Sequence, residues 1–184
     1  MSDNQTGTQS DIDLSSINKT STNTVAEMLD HGQALFDQSG IYFGHGTDNA
    51  WDEAVYLLSF VLGLAPDVER GVLEKELSPQ QQTAILALYQ RRIVERIPAA
   101  YLTGRAWFCG LPFTVDERVI IPRSPIAELI MTGFQPWCAE EPSRVLDLCT
   151  GSGCIGIACA YAFDRAEVVL SDISAQALEI TETN

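Results

Sequence analysis

Two aspartates and a glycine-rich turn are the residues of this chain whose types and spacing could do chemistry. Asp147 lies in a short apolar run at residues 145–148, and a turn at residues 150–153 follows soon after it. Asp172 comes just after a second apolar run at residues 168–170. Carboxylates accept hydrogen bonds from hydroxyl and ammonium groups, and glycines let the backbone approach a ligand where a Cβ would clash. This combination predicts a binding site for a small molecule.

The elements that must position these residues are two strands and the helix between them. Continuous apolar runs such as 145–148 and 168–170 are typical of parallel strands that are covered on both faces. A stretch of small residues from Cys154 to about Phe163 predicts the connecting helix. Strand, glycine turn, helix and strand form half of a doubly wound α/β domain. The turn then lies at a helix N-terminus, where free N–H groups and the positive dipole end suit an anionic group.

Two ligands fit this pattern, and a third interpretation needs no ligand. Gly151, Gly153 and Gly156 match the G-x-G-x-x-G fingerprint of dinucleotide sites, and Asp172 lies about where the acid that binds the ribose should be. Asp147 would repel a pyrophosphate, whereas it suits an ammonium or sulfonium group. S-adenosylmethionine has both groups, together with a carboxylate for the helix end and ribose hydroxyls for Asp172. The pattern therefore favours S-adenosylmethionine over a dinucleotide, and a turn kept for packing alone is the remaining alternative.

The composition is that of an acidic globular protein. The chain has 184 residues, of which 46% are hydrophobic, and this predicts a core in one domain or two small ones. The net charge of −14 argues against broad nucleic-acid binding, because a basic surface drives that binding. We see no secretion leader, and the longest uncharged apolar run is about half of a membrane span. We therefore expect a cytoplasmic protein with no membrane partner and no direct nucleic-acid partner.

The cysteines and histidines predict neither a metal site nor a histidine-based catalytic set. The five cysteines contain no C-x-x-C pair, and buried thiols that pack as small apolar groups are the better interpretation. The two histidines, His31 and His45, are far apart in the sequence, and His45 lies between glycines in a predicted loop. We expect no zinc site and a structural role for His45.

Helix-start signals and composition divide the chain into four segments. Thr24, Asn49 and Ser78 are helix-capping residues, each followed by an apolar stripe at helical spacing. The last of these helices carries a basic cluster that we interpret as a solvated face: Arg91, Arg92 and Arg96. Further on, apolar segments flank residues 110–112, which predicts a hairpin with its loop there. The predicted segments are a disordered tail at 1–23, a helical domain at 24–97, a hairpin linker at 98–123 and the α/β domain at 124–184.

Several short motifs carry a resemblance to a known family. Residues 98–104, Pro-Ala-Ala-Tyr-Leu-Thr-Gly, look like a link between two domains, and residues 113–123 look like the entry to a catalytic domain. The chain resembles the glutamine-amide methyltransferases that modify release factors and ribosomal proteins. Residues 42–49, 106–110 and 122–128 are similar to the branch that acts on large-subunit ribosomal protein three (uL3). The resemblance covers nearly the whole chain after the polar tail.

The resemblance implies a fold, a reaction and a set of binding residues. The fold is a helical substrate-recognition domain, a hairpin linker and the first half of a class I, Rossmann-like S-adenosylmethionine-dependent methyltransferase domain. The reaction is methylation of a glutamine side-chain amide on uL3. Asp147 is expected near the ammonium group of the cofactor, residues 150–153 along its methionine part and Asp172 at its ribose hydroxyls. The full set of expected cofactor-binding residues is Asp147, Cys149, Thr150, Gly151, Ser152, Gly153 and Asp172.

One family signature does not occur in the chain. The Asn-Pro-Pro-Tyr motif, which in the family holds the substrate amide, is absent from the sequence. The helix predicted to begin at Ser174 still continues at Asn184, and the family's sheet has more strands than the two predicted here. We therefore expect the N-terminal part of an enzyme, inactive by itself, with no catalytic residue in this chain.

Three other functions stay open at this point. A release-factor glutamine methyltransferase shares most of the motifs above. The G-x-G-x-x-G match also allows a fragment of an NAD-binding oxidoreductase. The helical domain could instead be a non-enzymatic module that docks a ribosomal protein.

Overall fold

The computed structural model describes residues 23–64 and 70–184. The predicted disordered tail at residues 1–23 lies outside the described residues, apart from Asn23. The described helices and strands, in chain order, are α1 (Val25–Ser39), α2 (Ala50–Leu62), a 3₁₀ turn (Arg70–Val72), α3 (Pro79–Val94), α4 (Ala99–Thr103), β1 (Arg105–Phe108), β2 (Leu111–Thr114), α5 (Ile126–Met131), β3 (Arg144–Leu148), α6 (Cys154–Ala162), β4 (Glu167–Ser171) and α7 (Ala175–Thr183).

The described chain divides into two compact units. The first contains the residues up to Tyr42 and Ala54–Arg96, and the second contains Phe43–Glu53 and Ile97–Asn184. The loop that begins at Phe43 therefore groups with the second unit, where the Arg123 guanidinium donates a hydrogen bond to the Gly44 carbonyl. The domain boundaries proposed from the sequence stay predictions.

Local capping signals begin the helices of the first unit. At α1, the Thr24 hydroxyl accepts from the Glu27 amide at 3.3 Å, and the Glu27 carboxylate accepts from the Thr24 amide at 3.1 Å. Ser78 and Gln81 form the same reciprocal pair at α3. Gly40 ends α1 in the left-handed conformation that glycine tolerates best. Thr24 and Ser78 therefore cap their helices as predicted, and each does so in a capping box.

An aromatic pair lies in the core of the first unit. Phe36 and Tyr89 are fully buried, with ring centroids 5.1 Å apart in an edge-to-face arrangement. The Tyr89 hydroxyl donates to the Ala54 carbonyl at 3.3 Å, which satisfies its polar end. Gly32 faces this ring, because a Cβ added there would lie 2.6 Å from it.

The prediction of a solvated basic cluster is confirmed for Arg91 and Arg96, which are exposed, and is wrong for Arg92. Arg92 is only 3% exposed, and its guanidinium donates to the Tyr42 carbonyl at 2.8 Å. Arg96 donates to the Ser39 carbonyl at 3.1 Å, while Arg91 pairs at the surface with Glu95. Arg96 therefore satisfies a carbonyl that the end of α1 leaves without a helical partner, and Arg92 satisfies a carbonyl in the segment that follows α1.

The loop of the hairpin in the second unit begins one residue earlier, and is one residue shorter, than its sequence suggests. Phe108 pairs with Leu111, so the loop is Cys109–Gly110 and not residues 110–112. Cys109 and Gly110 both have positive φ, +49° and +77°, as a two-residue hairpin turn of the favoured hand requires. Leu111 and Pro112 lie in β2 instead of in the loop.

The strand–turn–helix–strand prediction is confirmed. β3 and β4 are parallel neighbours, with Val145 opposite Val168 and Asp147 opposite Leu170, and α6 packs on both. The buried core of this unit joins the hairpin, α5, α6 and α7 through apolar side chains that include Phe108, Phe113 and Phe163. The carboxyl ends of both strands therefore meet at one edge, next to the start of α6.

One face of the β3–β4 sheet is exposed, contrary to the expectation of strands covered on both faces. Residues alternate along each strand, so Val145 and Asp147 lie on one side while Leu146 and Leu148 are 60% and 68% exposed. Val169, opposite Leu146, is 43% exposed. Within the described residues, α6 covers one side of the sheet and no helix covers the other.

Candidate functional site

The glycine turn lies where β3 ends and α6 begins, and it is tied to the neighbouring strand. The Thr150 amide donates to the Ser171 carbonyl of β4 at 3.0 Å, and the Gly153 amide donates to the Thr150 carbonyl at 2.9 Å. The first bond joins the turn to the sheet and the second closes the turn on itself. The turn is therefore held in one conformation at the carboxyl edge of the strands.

Asp147, in β3, accepts hydrogen bonds from the turn and from α6. One of its carboxylate oxygens, Oδ2, accepts from the Thr150 hydroxyl at 2.6 Å and from the Gly156 amide at 2.9 Å. Gly156 leaves room for this contact, because an added Cβ would lie 2.9 Å from Leu170 and 3.1 Å from that oxygen. The carboxylate thus connects the end of β3 to the turn and to the first part of α6. Its predicted proximity to an ammonium group stays a prediction.

Asp172, directly after β4, accepts hydrogen bonds from the turn and from the start of α7. Oδ2 accepts from the Gly151 amide and Oδ1 accepts from the Ser174 amide, both at 2.9 Å. These backbone donors, Ser174 first and Gly151 second, lower the pKa of Asp172. Each oxygen has a second lone pair that can accept from a hydroxyl group. The carboxylate is charged and oriented before any ligand is present.

The two glycines of the turn are required for different reasons. Gly153 has φ +81°, and a Cβ there would lie 2.9 Å from the methyl group of Thr181 and 3.1 Å from Ile157. Gly151 has φ +59° but meets nothing within 4 Å. Gly153 is therefore enclosed by protein, whereas Gly151 borders open space that a ligand can occupy.

The remaining predicted residues divide into one exposed and two buried side chains. Cys149 is exposed and has φ +60°, which is uncommon for a residue other than glycine. Thr150 and Ser152 are buried. The structure thus brings all seven residues to one turn and two strand ends, but their side chains do not all face solvent.

Sequence reasoning missed several residues of this site. Thr181 and Asn184, at the end of α7, donate to the Gly151 and Ser152 carbonyls at 2.8 and 2.9 Å. Ile173, directly after Asp172, is fully exposed, which is unusual for a large apolar side chain beside a charged one. For Thr181 a signal was available, because it is a polar residue on the side of a predicted helix that carries buried apolar residues. No local pattern marks Asn184 or Ile173.

A pocket of about 540 Å³ lies elsewhere in the second unit. Its lining comes from the hairpin, α5, the segment after α5 and the end of α6, and includes Leu111, Ile130 and Phe163. None of the seven predicted cofactor residues lines it. This pocket is therefore separate from the candidate site.

Residues 23–64 and 70–184 contain neither a cluster of metal-binding side chains nor a helix that could span a membrane. No three histidine, cysteine, aspartate or glutamate side chains come together there in a way that could hold a metal ion. In the same part of the chain, every helix is too short or too polar to cross a membrane.

Two family models match the chain. The model described as the PrmC N-terminal domain matches residues 27–104. The model described as the methyltransferase small domain matches residues 127–184, which contain the turn and both strands of the candidate site.

Two curated relatives match most of the chain. A ribosomal protein uL3 glutamine methyltransferase of Bordetella pertussis is 44% identical over 169 residues, which are 91% of this chain and 57% of the relative. A ribosomal protein uL3 glutamine methyltransferase of Xylella fastidiosa is 46% identical over 162 residues, 88% of this chain and 52% of the relative. The chain thus spans about half the length of these relatives.

Proposed function

We propose that this chain, as a member of the protein glutamine methyltransferase family, binds S-adenosylmethionine. The methyl group of the cofactor is transferred to a glutamine side-chain amide of ribosomal protein uL3. The fold class supports this: a helical N-terminal region is followed by part of a class I methyltransferase fold. The named activity and substrate of the two relatives supply the reaction and the acceptor. A cytoplasmic location follows from the proposal, because ribosomal proteins are made and assembled there.

The observation that carries the proposal is the pre-oriented carboxylate of Asp172 at the open side of the turn. Backbone amides of Gly151 and Ser174 fix both of its oxygens, so its remaining lone pairs are available to ribose hydroxyls. Ile173 adds an exposed apolar surface at the same strand end, which suits the adenine ring. The open space at Gly151 leaves room for the backbone to contact the methionine part.

The bound cofactor supplies an electrophilic methyl group on its sulfonium sulfur. The residues of this chain bind and orient it: Asp172 through the ribose, Ile173 through the base, and residues 149–153 along the methionine part. Asp147 contributes negative charge close to the turn, which favours a cationic methionine group over a phosphate. Positioning of the reactants supplies much of the rate enhancement in a direct displacement, and a rigid turn contributes to it by holding the cofactor in one orientation.

The charge of the chain suits a ribosomal protein substrate. The net charge is −14, and proteins that bind RNA carry basic surfaces. The chain and its proposed substrate are therefore electrostatically complementary, which accelerates their encounter. We assign substrate recognition to the helical segment at residues 24–97.

The proposal is tested by labelled methyl transfer from S-adenosylmethionine to purified uL3, with the full-length protein as enzyme. We expect label on uL3, and mass spectrometry of the peptides should place it on a glutamine side chain. Label on a release factor with none on uL3 would assign the chain to the other branch. Thermal stabilisation by NAD, with none by S-adenosylhomocysteine, would support the oxidoreductase alternative. Binding of uL3 without transfer would leave a docking module.

Replacing Asp172 is expected to weaken cofactor binding. Asp172→Ala removes a charged acceptor from the ribose hydroxyls and loosens the turn, so affinity for S-adenosylhomocysteine should fall roughly ten- to a hundredfold. Calorimetry on the wild type and the variant measures this. Because the pKa of Asp172 is lowered, wild-type affinity should persist below the usual aspartate range and fall as the pH drops through that lowered pKa.

A matched control separates this contact from a general change of charge. Asp164→Ala removes an exposed carboxylate near the far end of α6 and should leave affinity unchanged. Asp172→Asn keeps one acceptor oxygen and should give an intermediate affinity. Equal affinities of Asp172→Ala and the wild type would contradict the ribose contact.

Thiol labelling provides a second test of where the cofactor binds. With iodoacetamide on the folded protein, exposed Cys149 should react first. Cys154 and Cys159 should react slowly, because burial raises the pKa of both thiols, that of Cys159 to about 11. S-adenosylhomocysteine should protect Cys149 and leave labelling of Cys138, which lies outside the turn, unchanged. If the ligand left Cys149 labelling as fast as before, Cys149 would not lie at the methionine part.

A further inference from the structure

The side chain of Asn184 uses both its acceptor and its donors to join two distant elements. Its carbonyl oxygen accepts from the Thr114 amide at 2.6 Å, and its amide nitrogen donates to the Thr114 carbonyl at 3.1 Å. The same nitrogen donates to the Ser152 carbonyl at 2.9 Å. Asn184 therefore pairs with the end of β2 as a strand residue would, while it also holds the glycine turn.

Thr181, one turn earlier on α7, holds the preceding carbonyl of the turn. Its hydroxyl donates to Gly151 at 2.8 Å and to Ala177 within its own helix at 3.1 Å. Its methyl group is also the nearest atom to the position of a Cβ on Gly153. The end of α7 thus contacts three consecutive residues of the turn, Gly151, Ser152 and Gly153.

These contacts set the direction of backbone amides as well as carbonyls. The Gly151 carbonyl and the Ser152 amide share one planar trans peptide, and so do the Ser152 carbonyl and the Gly153 amide. Fixing a carbonyl therefore fixes the amide on the opposite side of the same peptide. An anion-binding turn depends on such amide directions.

We propose that Asn184 and Thr181 are positioning residues that hold the cofactor turn, and that Asn184 couples cofactor binding to the hairpin β1–β2 through Thr114. The proposal rests on the proposed function in that the turn binds the cofactor. Contacts from the cofactor add to those that already hold the turn, so they reduce the remaining motion of the Ser152 carbonyl, of the Asn184 amide bonded to it and of Thr114. Part of the ordering at the cofactor site thereby reaches the hairpin, which precedes the α/β segment in the chain.

The test uses Asn184→Asp and Thr181→Val in the full-length protein. Asn184→Asp replaces the amide donor with an oxygen, so it removes the bonds to Ser152 and to the Thr114 carbonyl but keeps an acceptor for the Thr114 amide. Thr181→Val keeps the shape and removes the hydroxyl. Thr183→Val is the matched control, because that hydroxyl donates to the Glu179 carbonyl within its own helix.

The expected results concern both kinetics and amide exchange. Asn184→Asp and Thr181→Val should raise the KM for S-adenosylmethionine roughly tenfold and change kcat little, because a misplaced turn weakens binding of the cofactor in the ground state and the transition state alike. In the wild type, S-adenosylhomocysteine should slow hydrogen exchange at the Thr114 amide. In Asn184→Asp that slowing should be lost although the amide keeps its acceptor, and Thr183→Val should behave as the wild type.

Each contrary result has a separate meaning. Ligand-dependent slowing at Thr114 that persists in Asn184→Asp would overturn the coupling. Wild-type KM in both variants would overturn the positioning role. If the wild type bound S-adenosylhomocysteine but did not methylate uL3, the proposed substrate would fail while the coupling stood. If it bound no cofactor, faster exchange of the Gly153 amide in the ligand-free variants than in the ligand-free wild type would still support positioning of the turn, and unchanged exchange would refute it.

Discussion

Gly153→Val is expected to abolish binding of S-adenosylhomocysteine while the first unit stays folded. Gly153 has φ +81°, which a β-branched residue adopts only with severe strain. A Cβ there would also lie 2.9 Å from Thr181 and 3.3 Å from Leu170, so the turn would have to move away from α7 and β4. Calorimetry measures the binding, and circular dichroism measures the helical content that should remain.

Alanine substitutions at the two glycines separate strain from enclosure. Gly151→Ala carries the left-handed strain of about 1–2 kcal/mol without a steric neighbour. Gly153→Ala adds close contacts to similar strain, so it should lower the melting temperature more. Gly133→Ala, at positive φ in open space outside the site, controls for strain alone. Normal cofactor affinity of Gly153→Val would show that the geometry of the turn is unimportant for binding.

The 184-residue chain by itself is expected to self-associate at micromolar concentration. Leu146, Leu148 and Val169 form an exposed apolar surface on one face of β3 and β4. Of the described strands, β3 pairs with β4 alone, so one edge of β3 has backbone groups without a strand partner, which is a template for further pairing. Analytical ultracentrifugation over a dilution series should show species larger than the monomer.

Substitutions on this face should reduce the self-association. Leu148→Lys with Val169→Thr lowers the apolar area and adds a charge on the open side without touching the side that packs on α6. Ile120→Thr is the control, because Ile120 is an exposed apolar side chain outside the sheet and its loss should change nothing. If the 184-residue chain stayed monomeric at high concentration, the exposed face and edge of β3 and β4 would not cause self-association, and the prediction would be wrong.

The two acids of the site share one structural task. Asp172 accepts a hydrogen bond from the Gly151 amide of the turn. Asp147 accepts one from the Gly156 amide of α6, the helix that follows the turn. A substitution at either acid therefore alters the shape of the turn together with any direct contact to a ligand. This is why the Asp172 prediction is paired with an amide variant, which retains part of the hydrogen bonding.

Local features of this protein could be read from the sequence because they depend on residues a few positions apart. The capping boxes at Thr24 and Ser78 need only a hydroxyl and a carboxylate or amide three residues later. The glycine turn and the two acids were likewise predicted from the order of strand, turn, helix and strand. The resemblance to a methyltransferase family and the predicted cofactor-binding residues rested on these same short motifs.

Other features were decided by the tertiary structure, because they join residues that are far apart in the chain. Asn184 reaches Thr114 across 70 positions, and Arg92 reaches Tyr42 across 50. No periodicity in the sequence marks such a partner. The charge of Arg92 predicted that it is exposed, but its guanidinium is buried and donates to the Tyr42 carbonyl. The hairpin turns at Cys109 and Gly110, and not at residues 110–112, because the register of the two strands is set by their pairing. Sequence thus determined where the turn and its acids lie, and long-range hydrogen bonds determined what holds them.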